Sequence, residues 1–176
     1  MNHLLQKLGG GDRRSIGTSN EVVAEVLARP ALLRLVFEGL EKDDAVLRMR
    51  SADAVEKITR GRPELLQPYK KRILGAIAEN GQPEVRWHVA QMIPRLELSA
   101  RERGVAVDIL FDYLQERSSI VKTFAMQALA ELAMKHASLK AQVFPLIEEL
   151  TEAGTPAMRA RGRKLLKQLR RLPASA

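Results

Sequence analysis

Few residues of this sequence have the types and spacing that catalysis or metal binding requires. Its three histidines, His3, His88 and His136, lie far apart, and none has a second histidine or a carboxylate at a recognised helical metal-binding spacing. Cysteine is absent, which excludes thiolate nucleophiles, disulfides and cysteine-based metal sites. The glycines at positions 9–11 are not followed by the Gly-Lys-Ser/Thr of a phosphate-binding loop. We therefore expect a non-enzymatic protein without metal or cofactor.

Basic residues are the second group that could do chemistry, here by binding anions. The chain has 29 Lys and Arg against 21 Asp and Glu, a formal net charge of +8. Seven of the basic residues lie close together near the C-terminus with no acid between them: Arg159, Arg161, Arg163, Lys164, Lys167, Arg170 and Arg171. This local basicity predicts either one docking patch for an anionic partner or a solvated end of the protein.

The helices that must position these side chains follow a repeat. Four segments align without gaps at intervals of 38, 36 and 37 residues. They begin at Leu47, Val85, Val121 and Met158 and read LRMRSADAVEKI, VRWHVAQMIPRL, VKTFAMQALAEL and MRARGRKLLKQL. In each, the first, fifth, ninth and twelfth positions are apolar or small, which places them on one stripe of a helix. Each segment is predicted to be the second, or B, helix of a helix pair.

A second apolar pattern precedes each B segment and predicts the first, or A, helix of the pair. We expect four residues of this pattern to be equivalent and buried: Phe37, Leu74, Phe111 and Ile147. Between A and B the chain reads KDDA, NGQP, RSSI and AGTP, where Asp, Ser or Thr can cap the next helix and Pro83 and Pro156 can open it. Because these turns are short, A and B should pack antiparallel.

The pattern resembles HEAT repeats, in which an A helix and a turn often carrying Asp and Pro precede a Val-Arg pair and an apolar B helix. The pairs that match are Val85-Arg86, Val121-Lys122, Met158-Arg159 and, more loosely, Leu47-Arg48. The resemblance covers residues 30–171. The chain is also similar to small bacterial HEAT-repeat proteins. The resemblance to HEAT repeats implies an all-α fold, namely a right-handed α-α superhelix (HEAT-like solenoid) of about four antiparallel helix pairs.

Before this repeat region, residues 19–29 carry an apolar stripe that predicts an N-terminal capping helix, with Ser19 or Asn20 as its cap. We expect a short helix and a flexible Gly-rich segment at 1–18, a single HEAT-repeat domain at 19–172 and a tail at 173–176. No apolar run resembles a signal peptide or approaches the roughly 20 residues of a membrane-spanning helix. We therefore expect a cytoplasmic protein.

The second, third and fourth positions of the B helices supply the candidate contact residues. The second positions form a basic ladder of Arg48, Arg86, Lys122 and Arg159, which either meets an anion or binds groups of the turns. The third and fourth positions should face the inner, concave side of a solenoid and include the only tryptophan, Trp87. Trp87 and Phe124 could equally pack between repeats as core. The predicted partner-binding residues are Arg48, Met49, Arg50, Arg86, Trp87, His88, Lys122 and Phe124.

Two functions fit such a chain. The first is a non-catalytic scaffold whose concave face holds a protein partner. The alternative is a nucleic-acid-binding protein that uses the basic ladder and the C-terminal helix. Its candidate anion-binding residues are Arg159, Arg161, Lys164, Lys167 and Arg171. Neither function predicts contact with a membrane or a metal.

Overall fold

The computed structural model describes residues 2–11 and 15–171. Helices account for 81% of the structure, and the described residues contain no strand. The predicted all-α class is therefore confirmed. The chain divides into two compact units, Met1–Glu97 and Leu98–Ala176. The predicted tail at 173–176 and residues 12–14 of the predicted Gly-rich segment lie outside the described residues, and the single domain at 19–172 stays a prediction.

In its described part, the first unit contains six α-helices, and four of the others pack against the fourth helix along the chain. These are α1 (His3–Leu8), α2 (Ser19–Ala28), α3 (Leu33–Gly39), α4 (Ala45–Gly61), α5 (Lys70–Arg72) and α6 (Pro83–Met92). Helices α1, α2, α3 and α6 pack against α4. Helices α3 and α4 form the first predicted pair, and the helical segment around α5 forms the second pair with α6.

The described part of the second unit contains four α-helices, which supply the third and fourth predicted pairs. They are α7 (Ala100–Leu114), α8 (Ser119–Lys135), α9 (Lys140–Ala153) and α10 (Pro156–Arg170). Helix α8 packs against α7, α9 and α10, and α9 packs against α10. Helix packing within each unit is consistent with a helical solenoid, and the right-handed superhelix stays a prediction.

The apolar stripes of the four B helices, α4, α6 with its C-terminal turn, α8 and α10, are buried as predicted. Every one of the sixteen stripe positions is buried. Three of these helices begin at the predicted caps: Asp44 accepts from Val46 and Leu47, Ser118 from Val121, and Thr155 from Met158. Pro83 and Pro156 occupy the first turns of α6 and α10. Sequence periodicity and capping chemistry therefore place the B helices correctly.

The predicted register of the A helices is wrong by one residue in two pairs. Leu74 and Phe111 are only half-buried. The neighbouring residues Ile73 and Leu110 are fully buried instead. The equivalent core positions lie at regular intervals of 37 residues: Val36, Ile73, Leu110 and Ile147. Consecutive apolar residues differ by about 100° around a helix, so packing against the B helix decides which one turns inward.

The segment before α6 departs from a regular helix because of two residues. Pro68 lies in a 3-10 helix, Pro63–Tyr69, where its missing N–H and fixed φ are tolerated. Gly75 lies in a π turn, Ile73–Ile77, with a non-helical backbone at φ −118° and ψ −120°. The segment is nevertheless fixed to α3, since the rings of Tyr69 and Phe37 stack with centroids 3.7 Å apart.

The predicted capping helix is α2, but its N-terminus differs from the expectation. The N-cap position is Thr18, which makes no side-chain capping hydrogen bond among the described residues. Ser19 is the first residue of the helix and is buried, and its hydroxyl donates to Asp53 of α4 at 2.6 Å. A hydroxyl that could have capped α2 instead joins α2 to α4.

Gly162 of α10 allows this helix to approach α9 and α8 closely. A Cβ added at Gly162 would collide with Thr151 Oγ1 of α9 and lie 2.6 Å from Met126 Cε of α8. We expect Gly162→Leu to lower the free energy of unfolding by about 1–3 kcal/mol through overpacking. Urea unfolding followed by circular dichroism measures the change. Gly104→Leu in α7 is the control, because nothing lies within 4 Å of its Cβ position; equal effects of the two variants would contradict the close approach.

Candidate functional site

A cavity of about 300 Å³ in the first unit is the candidate functional site, and we call it the α4–α6 groove. It is bounded by the chain before α2, by α4 and by α6. Its lining residues are Ser15, Ile16, Met49, Arg50, Asp53, Glu84, Trp87 and His88. Four of the predicted partner-binding residues, Met49, Arg50, Trp87 and His88, are therefore brought together.

Helical spacing explains why these side chains meet. On α4, Met49 and Asp53 are four residues apart and share one face. On α6, Glu84 lies three and four residues before Trp87 and His88, so these three side chains also share a face. Helices α4 and α6 pack side by side. Their core stripes are buried, and these two other faces line the groove.

Trp87 supplies the largest apolar surface of the groove. The residue is partly exposed, as expected for a position rotated about 200° from Val85 of the core stripe. Its ring centroid lies 5.6 Å from that of His88. Ile16, which also lines the groove, is 44% exposed, which is unusual for a large apolar side chain here. The groove thus presents apolar surface to solvent from two of its residues.

Arg50 was expected to contact a partner, but its side chain is 4% exposed and binds the N-terminal segment. Its guanidinium donates to the backbone carbonyls of Leu8 at 3.1 Å, Gly10 at 2.6 Å and Ser15 at 3.0 Å. A Cβ at Gly17, where φ is +54°, would lie 2.8 Å from the Arg50 Cζ. The expectation of an exposed guanidinium is therefore wrong, because the chain before α2 folds over this part of α4.

Met49 is also less accessible than expected, at 8% exposure. Its remaining accessible surface lines the groove. The third and fourth positions of the first B helix are therefore covered, whereas those of the second, Trp87 and His88, are partly open.

The groove carries two carboxylates. Asp53 is 13% exposed in its side chain and accepts from the Ser19 hydroxyl at 2.6 Å and from Lys57 Nζ at 2.7 Å. These bonds fix the carboxylate at the wall of the groove. Glu84 lies in the first turn of α6, where the helix dipole favours a negative charge. The Asp53 charge is therefore balanced by Lys57, and Glu84 is the second carboxylate that lines the groove.

His88 is neutral at physiological pH. Burial of the imidazole lowers the pKa of His88 from 6.5 to about 4, against the opposing attraction of Asp53 and Glu56. Its Nδ1 is buried and has no hydrogen-bond partner among the described residues. The neutral imidazole therefore lines the groove without adding a charge to it.

The basic ladder of the first unit binds its own turns. Arg48 donates to the Gln82 side chain at 3.0 Å and to the Lys42 carbonyl at 2.8 Å, and lies 3.7 Å from the Asp43 carboxylate. Arg86 donates to the Asn80 carbonyl at 2.8 Å. For these two residues the geometry supports the structural alternative, in which the ladder stabilises turns.

The remaining predicted site residues belong to the second unit. Lys122 and Phe124 of α8 are half-buried. The Arg161 guanidinium lies over the Phe124 ring, 5.8 Å from its centroid. The exposed basic residues of the C-terminal region are Arg159, Arg163, Lys164, Lys167, Arg170 and Arg171. They form a solvent-facing basic surface on α10 and the residue that follows it.

Comparison of the chain with protein-family models, with curated proteins and with solved structures found no match. The resemblance to HEAT repeats therefore stays a prediction from the sequence pattern. Across residues 2–11 and 15–171, none of the helices combines the length and the apolar character that crossing a bilayer requires.

Four lining residues of the groove were not predicted from the sequence. Glu84 and Asp53 could have been found from the sequence by helical spacing. Glu84 lies one helical turn before Trp87, and Asp53 lies one turn after Met49, and both of these residues had been predicted to bind a partner. Ser15 and Ile16 had none. They reach the groove only because Arg50 binds the carbonyls of their segment.

Proposed function

We propose that this protein is a non-catalytic binding protein that holds a segment of a protein partner in the α4–α6 groove, and that its helix pairs are of the HEAT type. The observation that carries the proposal is a cavity of about 300 Å³ with a partly exposed Trp87 on its wall. Tryptophan is enriched among the residues that dominate binding energy at protein interfaces. Stacked helix pairs offer such grooves without a catalytic centre.

The chemistry of the groove favours a partner segment that presents a basic side chain beside an apolar one. Met49 and Ile16 can pack against the aliphatic stem of a lysine or arginine. The face of Trp87 and the carboxylate of Glu84 can attract its charged end. The Arg50 guanidinium also lines the groove, but backbone carbonyls of the N-terminal segment occupy its donors, so Glu84 is the group that can pair with the incoming charge. The alternative anion-binding role of the ladder receives less support in this unit.

Selection of short random peptides on the purified protein tests the proposal. We expect the selected peptides to be enriched in Lys or Arg next to an apolar residue. Their binding should shift the fluorescence of Trp87, the only tryptophan. Trp87→Ala should weaken peptide binding by at least about 2 kcal/mol, as expected for an interface anchor, with little change in the free energy of unfolding.

Ile120→Ala is the matched control, since Ile120 is a 49% exposed apolar residue of the second unit. It should leave peptide affinity unchanged. Equal binding of the peptides to the Trp87→Ala variant and the original protein would reject the site. A loss of about 3–5 kcal/mol in unfolding free energy for Trp87→Ala would instead identify the indole as core.

A further inference from the structure

The outer face of α10 is a continuous basic surface. The helix has 15 residues and so is about 22 Å long. Its apolar residues Met158, Leu165 and Leu169 are buried against α8 and α9. All of its basic side chains lie on the remaining part of its circumference. Of these only Arg161 is half-buried, while the others are exposed.

Two half-buried aromatic rings lie at the borders of this surface. Phe124 of α8 is covered by the Arg161 guanidinium, and Phe144 of α9 by the Arg170 guanidinium, each 5.8 Å from the ring centroid. Arg170 is also 3.5 Å from the Glu148 carboxylate, an exposed pair. In each pair the guanidinium carbon lies over the ring, and arginine and phenylalanine are both groups on which a nucleobase can stack.

We propose that α10, together with Phe124 and Phe144, binds single-stranded nucleic acid. The exposed lysines and arginines bind backbone phosphates, and the two arginine-phenylalanine stacks receive unpaired bases. The aromatic rings distinguish this partner from the alternatives. An acidic protein surface or a duplex would use the charges but would leave the stacking groups without a role. This inference concerns the second unit and is independent of the function proposed for the groove.

The charge contribution is tested with a labelled single-stranded oligonucleotide and fluorescence anisotropy. Neutralising Lys164, Lys167 and Arg171 to glutamine should weaken binding at least about tenfold at low salt. The dependence of log affinity on log salt should become less steep by about 2, since each lost phosphate contact on a single strand contributes about 0.7. A control with the same net charge replaces Arg29, Lys71 and Arg101 with glutamine; these residues are exposed elsewhere in the chain, and the control should retain most of the affinity. Equal losses in the two variants would overturn the proposal.

The stacking contribution is tested by replacing Phe124 and Phe144 with leucine. We expect about a tenfold loss of affinity for the single strand with an unchanged salt dependence. Phe111→Leu is the control, because Phe111 is a half-buried phenylalanine of α7 in the same unit. If the double variant is poorly folded, the charge variants still test the site on α10, since they change only exposed side chains, and comparison of a single strand with a duplex of the same length tests the preference for unpaired bases.

Three further outcomes would overturn the assignment to single-stranded nucleic acid. One is tighter binding of a duplex of the same length, with no effect of the phenylalanine changes. Another is complete displacement of the oligonucleotide by polyglutamate at equal concentration of charges, which would indicate an acidic polypeptide. The third is binding that does not change between about 50 and about 200 mM salt.

Discussion

Glu56→Gln is expected to lower the free energy of unfolding by about 3–5 kcal/mol, the usual cost of removing one partner from a buried ion pair. The Glu56 side chain is 2% exposed and pairs with two arginines. Arg60 lies one turn later on α4, and Arg95 follows α6. Arg95 is only 18% exposed and also donates to the Glu56 carbonyl at 2.8 Å. Glutamine keeps the shape but leaves the Arg95 charge without its counter-ion.

Urea unfolding followed by circular dichroism measures this effect, and two variants define its cause. Glu64→Gln removes the carboxylate of an exposed pair with Arg62 and should change stability little. Replacing both Glu56 and Arg95 with methionine should recover much of the lost stability, because no buried charge is then left unpaired and Arg60 is exposed to solvent. A Glu56→Gln effect no larger than that of Glu64→Gln would show that the buried pair is unimportant.

Stability should also fall as the pH is lowered from about 6.5 to about 4, by up to about 3 kcal/mol from His88 alone. The pKa of His88 is about 4 in the folded protein and returns to about 6.5 on unfolding. Between these values the unfolded chain binds a proton that the folded protein does not bind. Protonation therefore favours unfolding throughout this window, and the contribution is absent above about pH 6.5.

The variant His88→Gln isolates this effect in urea unfolding experiments at several pH values. It should remove most of the pH dependence between about pH 6.5 and about pH 4. His136→Gln is the control. Burial also lowers the pKa of His136, which acts in the same direction, but we expect its contribution to be smaller because this side chain is less enclosed. An unchanged slope in His88→Gln would show that the imidazole is not protected from protonation.

Glu56 adds a separate loss of stability at lower pH. Burial alone would raise the pKa of Glu56, but hydrogen bonds from Arg60 and Arg95 outweigh it and hold the pKa below its usual value of 4.5. A carboxylate with a lowered folded-state pKa stabilises the fold above about pH 4.5, and this stability is lost as the pH falls through the lowered value. The Glu56 contribution is therefore distinguishable from that of His88 by its pH range.

The sequence by itself determined the helix pairs and the buried stripes of the B helices. Stripe residues such as Val55, Val89 and Leu129 recur with helical spacing, and that spacing alone places them on one face. The turn residues Asp44, Ser118 and Thr155 begin their helices through local hydrogen bonds to the next turn. These features depend on contacts between residues close in the chain, so a single sequence is sufficient to predict them.

Only the tertiary structure decided the A-helix register and the shape of the groove. Leu110 and Phe111 are adjacent and both apolar, so the sequence does not show which of them is buried. Packing against the opposing helix buries Leu110 and leaves Phe111 half-buried. Arg50 has the sequence position of an exposed contact residue, yet it binds carbonyls about 40 residues earlier in the chain. Hydrogen bonds between residues so far apart in the chain leave no periodic pattern in the sequence from which they could be predicted. The groove around Trp87 therefore depends on how the N-terminal segment and α6 pack against α4.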